Sequence, residues 1–206
     1  MEHVEPARCK LCSLRIERFK SFKNPVVINL KDSMFTSIVG PNGAGKSSVV
    51  DAVNFVFGAT VAPCGLAKLV NEDCLCEAAQ SHTGVTSTVA VHIEASGVGG
   101  DAPTRHTISR TIHVHASGAT RSEYEVDGTR RSQVEVHAFL GNSFGIDIKN
   151  PTRFILMQSQ ALSLVRQGPT QVSPASLLVL LFATPLKDPG SAICCLLHLC
   201  CVPPPH

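Results

Sequence analysis

Tryptophan is absent from this chain and tyrosine occurs once, so aromatic residues make up 5% of its 206 positions. That scarcity excludes a surface rich in aromatic stacking. Charge is sparse as well: charged residues account for 17%, and the net charge of +2 is too small by itself to announce a nucleic-acid partner. Long hydrophobic runs are missing. The longest, Leu177 to Ala183, falls far short of the roughly 20 residues that cross a bilayer, so no membrane partner is expected. The first residues, Met1-Glu2-His3-Val4-Glu5-Pro6, contain no apolar signal core, which argues against secretion.

What is present suits one domain, or one domain with an appendage, and the hydrophobic share of 44% is enough for a core. Cysteine is plentiful at nine residues, an odd count. Cys9-x-x-Cys12 has metal or redox spacing, but no second pair follows at zinc-ribbon distance, and Cys74-x-Cys76 is too tight for a half-site. These cysteines read as reduced intracellular thiols.

The informative stretch is Gly40-Pro41-Asn42-Gly43-Ala44-Gly45-Lys46-Ser47, which fits the phosphate-binding pattern G-x-x-x-x-G-K-[ST]. Phe35 to Val39 before it is a short apolar, β-branched run that reads as a buried strand. Ser47 to Phe57 after it carries apolar residues at helical spacing and stops at Gly58. Glycines let the backbone wrap close to phosphates so that successive amides point inward, and the helix dipole adds to the same attraction. Lys46 then reaches the β- and γ-phosphates, the Ser47 hydroxyl ligates Mg²⁺, and Pro41, Asn42, Gly43, Ala44, Gly45 and Ser48 complete the cradle. ATP and Mg²⁺ are the expected ligands.

Two strands are expected upstream, Leu14 to Phe19 and Val26 to Leu30, joined by Lys20-Ser21-Phe22-Lys23-Asn24. Residues 59–84 read as irregular apart from a helical turn over Leu66 to Val70. An antiparallel unit follows. Val85, Val89, Val91 and Ile93 share one strand face, and Ile108, Arg110, Ile112 and Val114 share the next. His113 and His115 project from the opposite face without an obvious third metal ligand and read as partly solvated. Asp127-Gly128 suits a type I′ hairpin turn, and a short helix is expected from Gln133 to Leu140. Arg105, Arg110, Arg121, Arg130 and Arg131 make this region locally basic, suited either to non-specific DNA backbone contacts or to a solvated sheet face. Arg153 to Met157 reads as a buried strand ended by Gln158.

Two strands before a Gly-Pro-Asn-Gly-Ala-Gly-Lys-Ser loop, with Phe19-Lys20-Ser21-Phe22 between them, resemble the N-terminal half of the ATPase head of the structural maintenance of chromosomes family. The helix ending Phe57-Gly58, the Tyr124…Asp127-Gly128 turn and the Gln158 strand are similar to the same head, from about Leu14 to Pro169. The passage Asn150-Pro151…Phe154 to Gln158 looks most like the condensin members. The resemblance implies an α/β fold: a P-loop NTPase head half, ATP-binding-cassette-like, with an antiparallel β subdomain. It implies that Lys20 and Ser21 lie near the adenine base, although a solvated turn suits those residues equally. It gives Gln158 a place beside Mg²⁺ and the attacking water, with Lys46 as the other catalytic residue. It further implies a nuclear, chromosomal protein whose partners are a C-terminal head half, a second head in a heterodimer, accessory subunits and DNA bound non-specifically. Family members usually carry an arginine near Val61-Ala62-Pro63-Cys64; here the nearest cation is Lys68.

The chain is thus expected to comprise a disordered lead (1–13), the head half (14–169) and a divergent tail (170–206), disordered or non-native. The tail has Cys194, Cys195, Cys200 and Cys201, several prolines and no heptads. It reads as the product of truncation or of translated non-coding sequence, with a membrane-associating or metal-binding appendage as the alternative. No apolar run ends in Asp-Glu and no Leu-Ser-Gly-Gly occurs, so hydrolysis is expected only when a C-terminal half and a partner head complete the site. The competing readings are another cassette-type ATPase, such as a double-strand-break repair protein, and a non-catalytic interaction fragment.

Overall fold

The computed structural model describes residues 9–30, 36–41, 43–95, 102–144 and, as backbone, 193–197. Expectations for residues 145–169, including the strand before Gln158, lie outside the described residues, as do Asn42 and the rest of the tail.

Strands β1 (Cys9–Glu17), β2 (Val26–Asn29), β4 (Val85–Ala95), β5 (Thr104–Val114), β6 (Thr120–Val126) and β7 (Thr129–Arg131) form one antiparallel sheet in the order β2-β1-β4-β5-β6-β7. β1 starts at Cys9, five positions before the expected Leu14, because Cys9 to Leu11 pair with Ile93 to Ala95 of β4. Alternation supplies the inner face: Leu14, Ile16, Val89, Val91, Ile108 and Ile112 are fully buried. Burial of this kind contributes about 1.5–3 kcal/mol per aliphatic side chain.

β3 (Thr36–Gly40) stands apart from that sheet and pairs antiparallel with β8 (Ile193–Leu197), Gly40 facing Ile193. α1 (Lys46–Val56) leaves the loop after β3 and lies against β4 and β5. Its Val49, Ala52, Val53, Phe55 and Val56 are all buried, which is why so apolar a helix forms here. α1 closes with Gly58 at φ 101. The Gly58 amide donates to Phe55 O (3.2 Å) and the Ala59 amide to Asn54 O (3.0 Å), the paired bonds of a Schellman cap.

Residues 59–84 are more regular than expected. A short α2 (Pro63–Leu66) runs into a 3₁₀ turn (Ala67–Leu69), and α3 (Glu72–Gln80) follows. Asn71 starts α3: its side chain accepts from the Cys74 amide at 3.3 Å, and Glu72 and Asp73 in the first turn complement the dipole. α4 (Gln133–Phe144) extends one turn beyond the expected Leu140, opened by Ser132 and Glu135 capping each other's amides.

The β6–β7 turn has positive φ at Asp127 (52°) and Gly128 (75°), as a type I′ hairpin requires. Asp127 also ties the turn to β5, accepting from the Thr107 amide at 2.7 Å and meeting His106 Nδ1 at 2.8 Å. Partial burial pushes its carboxyl up, but His106 and the Thr107 amide outweigh that and hold it below the ordinary value. A depressed folded value means that the stabilisation is present above the unfolded value, about 3.9, and is lost as pH falls through the folded one. Asp127→Asn should therefore show a deficit in urea midpoint at about pH 5 that shrinks below about pH 4.

Candidate functional site

The loop between β3 and α1 turns on two glycines in the left-handed region, Gly43 at φ 80 and Gly45 at φ 88. Within it the Ala44 amide donates to Pro41 O at 3.2 Å, and the Val49 amide makes the first helical bond to Gly45 O at 3.2 Å. No side chain caps α1 and no acidic residue stands in its first turn. The positive end of its dipole thus carries no built-in counter-charge. Ser47 is exposed at that end, while Lys46 is buried with its ammonium on Pro41 O.

The Phe19–Phe22 connection folds onto the same helix. Ser21 Oγ lies 2.9 Å from Ser48 Oγ, and Lys20 pairs with Asp51 one turn further along α1. This connection is held in unusual backbone geometry: Arg18 and Lys20 have φ of 51 and 44, values that cost energy for residues with a Cβ. Three bonds hold it there. The Lys20 amide donates to Leu69 O (2.8 Å), the Asn71 amide to Arg18 O (2.8 Å), and Asn71 Nδ2 to Lys20 O (2.6 Å). Asn71, buried, is therefore both the cap of α3 and the clamp on this segment.

Beside Ser48 opens a cavity of about 710 Å³ whose walls include Lys20, Ser21, Ser48, Lys68, Asn71 and Glu72. Of the residues expected at the site, Lys20, Ser21, Gly45 and Ser48 are brought together, and Pro41 and Lys46 are joined directly. Gly43, Ala44 and Ser47 line the exposed loop. Asn42 and Gln158 lie outside the described residues. Asp51 and Asn71 were not legible as site residues, although an asparagine before Glu72-Asp73 is itself a helix-start signal. Among the described residues no group of three or more His, Cys, Asp or Glu could hold a metal ion. The exposed Ser47 hydroxyl fits Mg²⁺ as a single oxygen ligand, with phosphate oxygens as the natural remainder.

The locally basic region resolves differently from its sequence. Arg105 pairs with Glu94 (2.7 Å), Arg121 (3.2 Å) and Arg130 with Glu123, and Arg131 with Glu135 (3.7 Å). His113 also lies 3.4 Å from Glu123. These four exposed arginines are each answered by a carboxylate, Arg105, Arg121 and Arg130 on one face of the sheet and Arg131 on the other, beside α4. The fifth, Arg110, is no surface cation at all: it is 3% exposed in the core, where burial pushes its guanidinium below the ordinary value.

Residues 10–164 match the RecF/RecN/SMC N terminal domain. Structural maintenance of chromosomes protein 4 of Schizosaccharomyces pombe is 31% identical over 170 residues, covering 82% of this chain. Structural maintenance of chromosomes protein 2 of Gallus gallus is 28% identical over 170 residues, covering 78%. The chain spans only 12% and 13% of those relatives' length. The Smc head domain of Pyrococcus furiosus, solved with an extended coiled coil and bound to the C-terminal domain of ScpA, superposes with a TM-score of 0.55 at 24% identity, over 78% of this chain and 39% of that one. The fold is thus that of the N-terminal part of such a head, as the sequence implied.

A Cβ at Gly45 would stand 3.1 Å from Ser21 Cβ and 3.5 Å from Phe22 Cζ, whereas at Gly43 it meets nothing within 4 Å. Both positions carry the positive-φ penalty of about 1–2 kcal/mol. Gly45→Ala should therefore destabilise the chain more than Gly43→Ala in urea melts. Equal losses would show that the Ser21 contact carries no weight.

Proposed function

Since this chain belongs to the RecF/RecN/SMC N-terminal domain family, we propose that it is the ATP-binding half of a chromosome-organising ATPase head. The observation that carries the proposal is the loop itself: two left-handed glycines and an uncompensated helix N-terminus open beside a 710 Å³ cavity. Phosphates would meet the amides of Gly43 to Ser48, with the Lys46 ammonium moving from Pro41 O onto the β- and γ-oxygens. Pro41 and Asn42 would border the same cradle. Base and ribose would occupy the cavity beside Lys20 and Ser21, and Lys68 stands on its wall as a further cation.

Bound Mg²⁺ would neutralise phosphate charge, and Ser47 is the residue that holds it, joined by Gln158. Lys46 and Gln158 are the catalytic candidates. Hydrolysis requires more than this chain. We infer that it proceeds only when a C-terminal head half supplies the acidic pair that activates water and a second head closes over the nucleotide. A chromosomal setting agrees with the names of the eukaryotic relatives; a heterodimeric partner, accessory subunits, a nuclear location and a condensin-like assembly belong to the proposal. Contact with DNA would be non-specific. It would have to draw on the arginines of the sheet face after their carboxylate partners are displaced. The segment 14–169 would be the functional unit, with 170–206 outside it except for β8, which pairs with β3.

The test is direct. The full chain should bind a fluorescent ATP analogue in the presence of Mg²⁺ without turning it over, and Lys46→Ala should weaken binding by about 100-fold, the loss of a desolvated charge–phosphate contact. Unchanged affinity in a folded Lys46→Ala variant would overturn the phosphate-loop assignment. Turnover by the isolated chain would overturn the need for a second half.

A further inference from the structure

Arg110 sits in the middle of β5, between Val89 of β4 and Tyr124 of β6, and points into the core. Among the described residues no carboxylate pairs with it. Instead Nη1 donates to Phe55 O and to Ala59 O, each at 3.0 Å, while Nε and Nη2 reach Ser122 Oγ at 3.4 and 3.2 Å. The planar group lies over the Phe55 ring at 4.3 Å and over the Tyr124 ring at 4.7 Å. The Tyr124 ring thus meets the guanidinium with its face.

Phe55 O belongs to the last turn of α1, the helix whose other end is the phosphate loop, and Ala59 O lies just past its Gly58 cap. α1 has no basic residue in its own last turn. Arg110 supplies from the sheet the cation that the helix lacks, where the dipole is negative and the last carbonyls need donors. The N-terminal half of α1 is held separately, by the Lys20–Asp51 pair and the Ser21–Ser48 contact, and Phe55 itself packs on Phe19 at 5.5 Å just ahead of those residues. The helix is fastened at two points, by the β1–β2 connection and by β5.

We propose that Arg110 is a positioning residue for the phosphate loop: by fixing the C-terminal end of α1 to β5 it sets where Gly45, Lys46 and Ser47 stand at the other end. The rod between is 11 residues, about 16 Å at the helical rise. A pivot at its far end would carry the loop amides off the phosphates. Lysine cannot replace the arrangement fully. It offers three donors but no plane to fill the gap between two rings. The proposal rests on the nucleotide reading, and its test separates the two.

The experiment uses the full chain and three variants, Arg110→Gln, Arg110→Lys and Val136→Ala. The last removes a fully buried side chain of α4, which packs against β6, and serves as a destabilised control. Amide hydrogen exchange at Val49, Val50 and Asp51 and affinity for a fluorescent ATP analogue are measured with the melting temperature. Arg110→Gln should speed exchange at those three amides and weaken binding by about five-fold or more, with partial recovery in Arg110→Lys. Val136→Ala should lower the melting temperature and leave both readouts in place. Unchanged exchange in a folded Arg110→Gln, or an equal change in Val136→Ala, overturns the positioning role. If Arg110→Gln fails to fold, Arg110→Lys against Val136→Ala decides on the same readouts. Faster exchange in Arg110→Gln when the parent chain binds no nucleotide would sink the nucleotide reading and leave the positioning role standing.

Discussion

A phosphate loop works only if the helix behind it does not move, and here that helix is held by burial. Val49, Val53, Phe55 and Val56 of α1 are sealed against β4 and β5, so the helix has little freedom to rotate or slide without exposing apolar surface. The antiparallel sheet exists in turn because its inner face has α1 to cover it. Each element supplies the surface the other needs, and the loop takes its place from the pair.

Around that packing the polar contacts are few and placed at the ends. Asn71 clamps the Arg18–Lys20 backbone in left-handed geometry, and Lys20 and Ser21 reach the first half of α1 from there. The cations around the loop already have internal partners, Lys46 on Pro41 O and Lys20 on Asp51. In the proposed binding mode a nucleotide would exchange partners for Lys46, and the net gain would be the difference between two charge-assisted contacts rather than the whole of one.

Much of this was legible beforehand, for reasons of range. The loop, its strand and its helix follow from glycine placement and from periodicity within a dozen residues, and the Asp127-Gly128 turn from a dipeptide preference. α3 escaped because Glu72 to Gln80 mixes charges, cysteines and alanines without a clear apolar stripe; only its cap, Asn71, is buried enough to betray it beside Cys74. Arg110 is the more instructive case. Alternation already placed it on the face of Ile108 and Ile112, yet arginine count placed it on a basic surface. The period was the better guide, because the acceptors that make its burial tolerable, Phe55 O and Ala59 O, come from more than 50 positions away and leave no local trace. The Lys20–Asp51 pair and the neutralisation of Arg121 and Arg130 by Glu123 are likewise products of pairing that no short window contains.

The pairing of β3 with β8 has a consequence of another kind. β4, β5 and β6 are joined by short connections, so their contacts close small loops and cost little chain entropy to form. Gly40 and Ile193 are partners separated by 153 positions along the chain. Loop closure over that span is the most expensive in the described structure and is compensated by a ladder of only five residue pairs. The strand that leads into the glycine loop is thus held by the longest-range ladder among the described residues.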